Sequence, residues 1–258
     1  MYYTLTGPPG APVVVLLHGL GSSGDDWTHQ AEALTDYRVL AVDLPGHHRS
    51  ARPRGVLSVP AMAAAVERQL ERLGIERAHV VGLSLGGCVG LALALRAPAR
   101  VRSLVVVNGF ARLRPADVRA LVRGAARVLL ALAAPMSLVG AFVAREAFPR
   151  PEHAALRDAA SARLAANPRG HYLACLAALA RFDIRERLAE IRCPTTVVAG
   201  AGDTTVPLAA KQALANGIPG ARLHVVAESG HVTLYDQPAA FNAILREHLG
   251  AVDALGGA

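Results

Sequence analysis

The stretch His79-Val-Val-Gly-Leu-Ser-Leu-Gly-Gly87 decides the fold. Its first half is a short valine-rich apolar run, the mark of a buried strand, with Val80–Leu83 at its centre. From Gly86 to Arg96 the apolar residues take helical spacing until Pro98 stops them. Between the two stands Gly82-Leu83-Ser84-Leu85-Gly86, a G-x-S-x-G turn. A strand that turns this sharply into a helix leaves little room beside the serine backbone. Glycines on both sides therefore let Ser84 project its hydroxyl at the carboxyl end of a sheet. The same turn puts the N–H of Leu85 at a helix N-terminus, where it can donate to an oxyanion.

On either side of this turn, valine-rich runs ending in Gly, Asp or Asn alternate with helical segments: Tyr2–Leu5, Val13–Leu17, Val39–Val42, Leu104–Val107, Thr195–Ala199 and Leu223–Val226 read as strands. Ala61–Leu73 reads as a helix closed by Gly74, and Ala239–Leu249 as the terminal helix before a frayed ALGGA tail. This alternation predicts an α/β fold, a doubly wound, mostly parallel sheet. Between Phe110 and Ile191 the strand rhythm disappears, and Ala/Leu/Arg-rich helical stretches are punctuated by prolines. The expected organisation is a core of residues 1–110 and 188–258 interrupted by a helical cap over residues 111–187.

A serine hydroxyl needs an adjacent base, itself oriented by an acid. Among ten histidines, His231 in Glu-Ser-Gly-His follows the strand Leu223–Val226, and Asp203 in Ala-Gly-Ala-Gly-Asp follows Thr195–Ala199. Ser84, Asp203 and His231 thus stand after three strands, in the chain order Ser…Asp…His that one class of hydrolase uses. The other acid position, after Leu104–Val107, is Asn108, which carries no charge. The loop after Val13–Leu17 reads His18-Gly19-Leu20-Gly21 and offers the Leu20 N–H as second oxyanion donor, with His18 bracing the loop. His47-His48 lacks a carboxylate or cysteine at ligand spacing, so no metal is expected.

Composition narrows the class. The 258 residues carry 27 Lys+Arg against 20 Asp+Glu, a net charge of +7. Lys211 is the only lysine, the arginines are dispersed and aromatics make up 4%, so no basic stripe with stacking rings marks a nucleic-acid partner. Cys88, Cys175 and Cys193 are odd in number and far apart, which reads as free thiols in a reducing, cytoplasmic setting. The N-terminus lacks the pattern of a secretory signal. Val128–Ala144 is apolar enough to suggest a membrane, but Pro135 breaks it, and a lid helix without stable membrane insertion is the expectation.

Five segments together resemble the α/β-hydrolase superfamily, in its esterase, lactonase and carbon–carbon hydrolase branch. They are HGLG with SSGDDW (His18–Trp27), DLPGHHRS (Asp43–Ser50), LGIERAHVVGLSLGG (Leu73–Gly87), IRCPTTVVAGAGD (Ile191–Asp203) and SGHVTLYDQP (Ser229–Pro238). GLSLGG and the run from Arg187 are similar to 3-oxoadipate enol-lactonase-like hydrolases, and biotin-pathway carboxylesterases are also similar. The resemblance implies a cap between the sixth and seventh core strands, an acyl-enzyme route and no cofactor. It implies a small-molecule ester or lactone as substrate. A carbon–carbon hydrolase or a cofactor-free perhydrolase would keep the same residues, and a ligand-binding relative without catalysis is the alternative of another class. Dehalogenases and epoxide hydrolases of the superfamily place an aspartate where Ser84 stands. The chain's N-terminus is shorter than the family's first hairpin, and its cap more alanine-rich. The pocket walls are expected from the few rings of the insertion, Phe110, Phe142, Phe148, Tyr172 and Phe182, with Trp27 from the core.

Overall fold

The computed structural model describes residues 1–52, 55–115 and 117–256. Seven strands form one sheet: β1 (Tyr3–Thr6), β2 (Val13–Leu17), β3 (Arg38–Val42), β4 (Ala78–Leu83), β5 (Val101–Val107), β6 (Thr195–Gly200) and β7 (Arg222–Val226), in spatial order β1-β3-β2-β4-β5-β6-β7. All neighbours are parallel except β1, which runs antiparallel to β3 and pairs Tyr3 with Val42. The short N-terminus thus still supplies an edge strand.

The alternation of side chains along each strand explains the double winding. Val15 and Leu17 of β2, Val80 of β4, Val106 of β5 and Val197 of β6 pack beneath α2 (Val59–Arg72), α3 (Leu85–Arg96) and α8 (Leu208–Gly217). Their neighbours Val14, Leu16, Val81, Val105 and Val198 face the other way, onto Phe241, Leu245 and Leu249 of α10 (Pro238–Gly256), which follows the one-turn α9 (Thr233–Asp236), and onto the region of α1 (Thr28–Ala33). Helix α2 begins two residues before the predicted start, because Ser58 accepts the Ala61 N–H at 3.2 Å and Pro60 fits the first turn. The expected frayed end is corrected too: α10 continues through Gly256, and residues 257–258 lie outside the described set.

Between β5 and β6 come four helices, α4 (Val118–Ala133), α5 (Met136–Ala147), α6 (Ala154–Ala165) and α7 (Arg169–Ala180). Among the described residues this insertion lies between the fifth and sixth strands, where the resemblance implies the sixth and seventh. Its two chain ends meet in a narrow neck, where Ile184 N–H donates to Ala111 O at 3.0 Å and Arg112 pairs with Asp183 at 3.2 Å. The apolar Val128–Ala144 run is split between α4 and α5, with Pro135 as the residue preceding α5. No helix among the described residues is long and apolar enough to cross a membrane.

Candidate active site

Ser84 sits between β4 and α3 with φ +51° and ψ −109°, a conformation a side-chain-bearing residue adopts only under constraint. The constraint is visible. The Ser84 N–H donates to Val107 O at 2.8 Å, and its carbonyl accepts from Cys88 N–H at 3.0 Å. A Cβ on Gly82 would lie 2.3 Å from Gly86 C and O, and one on Gly86 would lie 2.0 Å from Leu17 O. Only glycines let strand, turn and helix approach so closely, and the second contact presses the turn against the end of β2. Ser84 is 9% exposed.

Asp203 follows β6 and His231 follows β7, and the two side chains meet: His231 Nδ1 lies 2.9 Å from Asp203 Oδ2. Burial by itself would raise the Asp203 carboxyl, but its contacts with His231 and Lys211 outweigh burial and bring it down to about 2. A carboxylate only accepts, so His231 Nδ1 must carry the hydrogen, and in the neutral ring the lone pair then belongs to Nε2. The other oxygen, Asp203 Oδ1, accepts the backbone N–H groups of Thr205 and Val206 at 2.8 and 3.1 Å.

Asn108, at the end of β5 with φ +47°, ties these loops to the sheet. Fully buried, it donates from Nδ2 to His231 O at 2.8 Å and Thr233 Oγ1 at 3.0 Å, and accepts Gly200 N–H on Oδ1 at 2.8 Å. An amide has both the donors and the acceptor this junction requires; a carboxylate lacks the donors.

On the opposite side, His18 bridges two loops. Leu44 N–H donates to its Nε2 at 2.9 Å, which leaves Nδ1 to donate to Gly19 O at 2.7 Å. Its complete burial pushes the imidazole down to about 4 and keeps it neutral. Asp43 Oδ1 accepts Gly24 N–H at 2.8 Å, and Oδ2 accepts Arg49 Nε at 2.7 Å, which secures the outer loop. The Leu20 and Leu85 N–H groups have no hydrogen-bond partner among the described residues. His47 is buried, its ring edge-on to His18 at 5.0 Å, and burial pushes it down to about 3. Among the described residues no three His, Cys, Asp or Glu side chains group around a metal position.

The ring residues are dispersed. Trp27 lies apart from the other rings: its 3₁₀ turn, capped by Ser23, packs the buried indole against Phe241 of α10. Phe110 and Phe182 are buried in the core beside α3, and Tyr172 inside the insertion, where its hydroxyl accepts Arg127 Nε at 2.7 Å. Phe148 is buried and Phe142 half-buried at α5. Polar contacts instead join the insertion to the site loops. His231 N–H donates to Ala147 O at 3.3 Å, Thr204 Oγ1 to Glu146 O at 3.3 Å and Asn167 Nδ2 to Gly21 O at 2.8 Å. Arg163 of α6 pairs with the buried Asp26.

Sequence reasoning missed Lys211, Asn167 and the Asp26–Arg163 pair. For Lys211 a signal existed: a chain that otherwise uses arginine for its basic side chains has one lysine, eight residues after the candidate acid.

Residues 12–238 match the family model described as alpha/beta hydrolase fold. A relative in Azorhizobium caulinodans named "Putative carbamate hydrolase RutD" is 37% identical over 260 residues, covering 98% of this chain and 96% of that protein. Among solved structures, a hydrolase from Pseudomonas aeruginosa PA01 superposes with a TM-score of 0.87 at 33% identity, over 96% of this chain and 93% of that one. The enol-lactonase from Burkholderia xenovorans LB400 gives a TM-score of 0.89 at 26% identity, over 96% of each chain.

Proposed function

The chain belongs to the α/β-hydrolase fold family, and from that premise we propose that it is a serine hydrolase cleaving a carboxylic ester or lactone through an acyl-enzyme. The observation that carries this reading is the His231 Nδ1–Asp203 contact of 2.9 Å, after β6 and β7, in a chain whose Ser84 is held at positive φ at the same edge of the sheet, after β4. In this scheme His231 Nε2 takes the Ser84 proton while Oγ attacks the substrate carbonyl. The N–H groups of Leu20 and Leu85 receive the oxyanion, the protonated imidazole releases the alcohol, and water activated by the same nitrogen frees the acid. Asp203 fixes the tautomer and stabilises the imidazolium. The insertion serves as a cap whose contacts with residues 21, 204 and 231 hold the site loops under a roof.

The likeness to the enol-lactonase supports the lactone form of this reading. The likeness to the carbamate hydrolase relative favours a second reading, attack of the same serine on a carbamate carbonyl. The two differ in the leaving group. A panel of p-nitrophenyl esters, simple lactones and aryl carbamates, run on the native protein and on Ser84→Ala, tests both. The expected result is turnover of an ester or lactone at least tenfold faster than of the matching carbamate, abolished by Ser84→Ala. The reverse preference selects the carbamate reading, and turnover that survives in Ser84→Ala removes both.

A further inference from the structure

Lys211 is the only lysine of the chain, lies on α8 and is completely buried, with its ammonium 2.7 Å from Asp203 Oδ2. That oxygen is the one that also receives His231 Nδ1, at 2.9 Å. With Thr205 and Val206 on Oδ1, the carboxylate takes four donors, and one of them is a full positive charge. An acid that only had to orient an imidazole would be served by the two backbone groups and the ring. Burying an ammonium there costs desolvation, which lowers the Lys211 amine from its ordinary value while Asp203 pulls it back.

We propose that Lys211 is a positioning residue that neutralises Asp203 and thereby extends the pH range in which His231 is an unprotonated base. The inference rests on the serine-hydrolase reading above. Its physical core is charge count. With Lys211 present, the Asp203–Lys211 pair is neutral, and a proton on His231 makes the cluster +1. Without the ammonium, that same proton would neutralise a bare buried carboxylate, so it would bind more readily and block the base at higher pH. The other charged groups facing these loops are the same in native protein and variants: Asp236, which accepts Gly230 N–H at 2.5 Å, His153 beside it, the Arg150–Glu228 pair, and the Arg123–Glu146 pair next to Thr204.

The test follows the rate of Ser84 labelling by a fluorophosphonate as a function of pH in the native protein, in Lys211→Met and in Lys211→Gln. Glutamine keeps a neutral donor for Asp203; methionine keeps only the shape. Labelling of native protein that is absent in Ser84→Ala establishes the underlying reading independently of the lysine. Given that labelling, the acid limb of the rate profile is expected to move up by roughly one pH unit in both variants. The plateau should change by about threefold or less, since the stronger base gains only part of its extra basicity in rate. A limb that stays within about 0.3 units of native in a folded variant overturns the proposal. So does a shift in methionine that glutamine abolishes, because the lysine would then act as a hydrogen-bond donor and not as a charge. Failure of both variants to fold also overturns it, by making the pair structural. No labelling of the native protein points instead to failure of the serine-hydrolase reading itself.

Discussion

At the scale of single residues, Ser84→Ala should leave the fold intact and lower turnover by on the order of 10⁴–10⁶, since the nucleophile and its base act as a unit. Asp203→Asn is the more telling variant. It keeps the shape of the side chain but removes the charge that fixes His231 Nδ1–H and leaves Lys211 buried without its counter-ion. A loss of about 10³–10⁴ in kcat is expected, together with destabilisation of about 3–5 kcal/mol in denaturant titrations. An Asp203→Asn protein as active and as stable as native would place the acid elsewhere. Ser84, Asp203 and His231 were legible in the sequence because each follows a valine-rich strand and carries a glycine signature. Lys211 was not, because a contact across the β6–α8 loop leaves no periodic trace; only the rarity of the residue type pointed to it.

At the scale of elements, the turns and not the helices carry the specification. The central strands β2 to β6 were read to within three residues because they are buried on both faces and so run almost continuously apolar, whereas the edge strands β1 and β7 are more exposed. The placement of Trp27 was not legible because a 3₁₀ turn's direction follows from its cap and its closeness to β3, which periodicity does not encode. Ser23 caps the turn, and Gly24 sits where a Cβ would touch Ala41 C at 3.2 Å. Asn108 shows how one side chain joins elements. Asn108→Ala would strand the Gly200 N–H and release the 230–233 segment from β5. With about 1–3 kcal/mol for each buried group left unpaired, urea midpoints should fall clearly. The fluorophosphonate labelling rate should fall with them, because His231 moves with its loop. Unchanged labelling in a destabilised Asn108→Ala protein would show that the bracket serves stability alone. Gly86→Ala is expected to be harsher still, since the new methyl meets backbone at Leu17 and not a side chain that can swing aside.

At the scale of the whole molecule, buried histidines should govern acid tolerance. Burial pushes His18 and His248 down to about 4 and His47 to about 3, so all three are neutral in the folded protein well below the value of 6.5 that an unfolded chain would show. Below that value the unfolded state binds protons that the folded state refuses, so the histidines' contribution is complete above it and drains away as pH falls toward about 4. Each costs about 1.4 kcal/mol per pH unit across that window, and three together act like a steep slope in stability. Asp203, held near 2, continues the loss at lower pH, whereas Asp236, raised by burial, opposes it within the carboxylate range. Thermal melts should therefore show Tm falling from about pH 6 downward, before most carboxylates titrate. His248 offers the separable test, because it lies on α10, bonded through Nδ1 to Thr196 Oγ1 of β6 at 2.9 Å, and belongs to none of the candidate site loops. A His248→Gln variant should lose Tm more gently with acid than the native protein while its labelling profile stays unchanged. A native Tm that holds level down to about pH 4 would mean that these rings find room to be charged in the folded chain, and that the layers around the sheet open more readily than their packing implies.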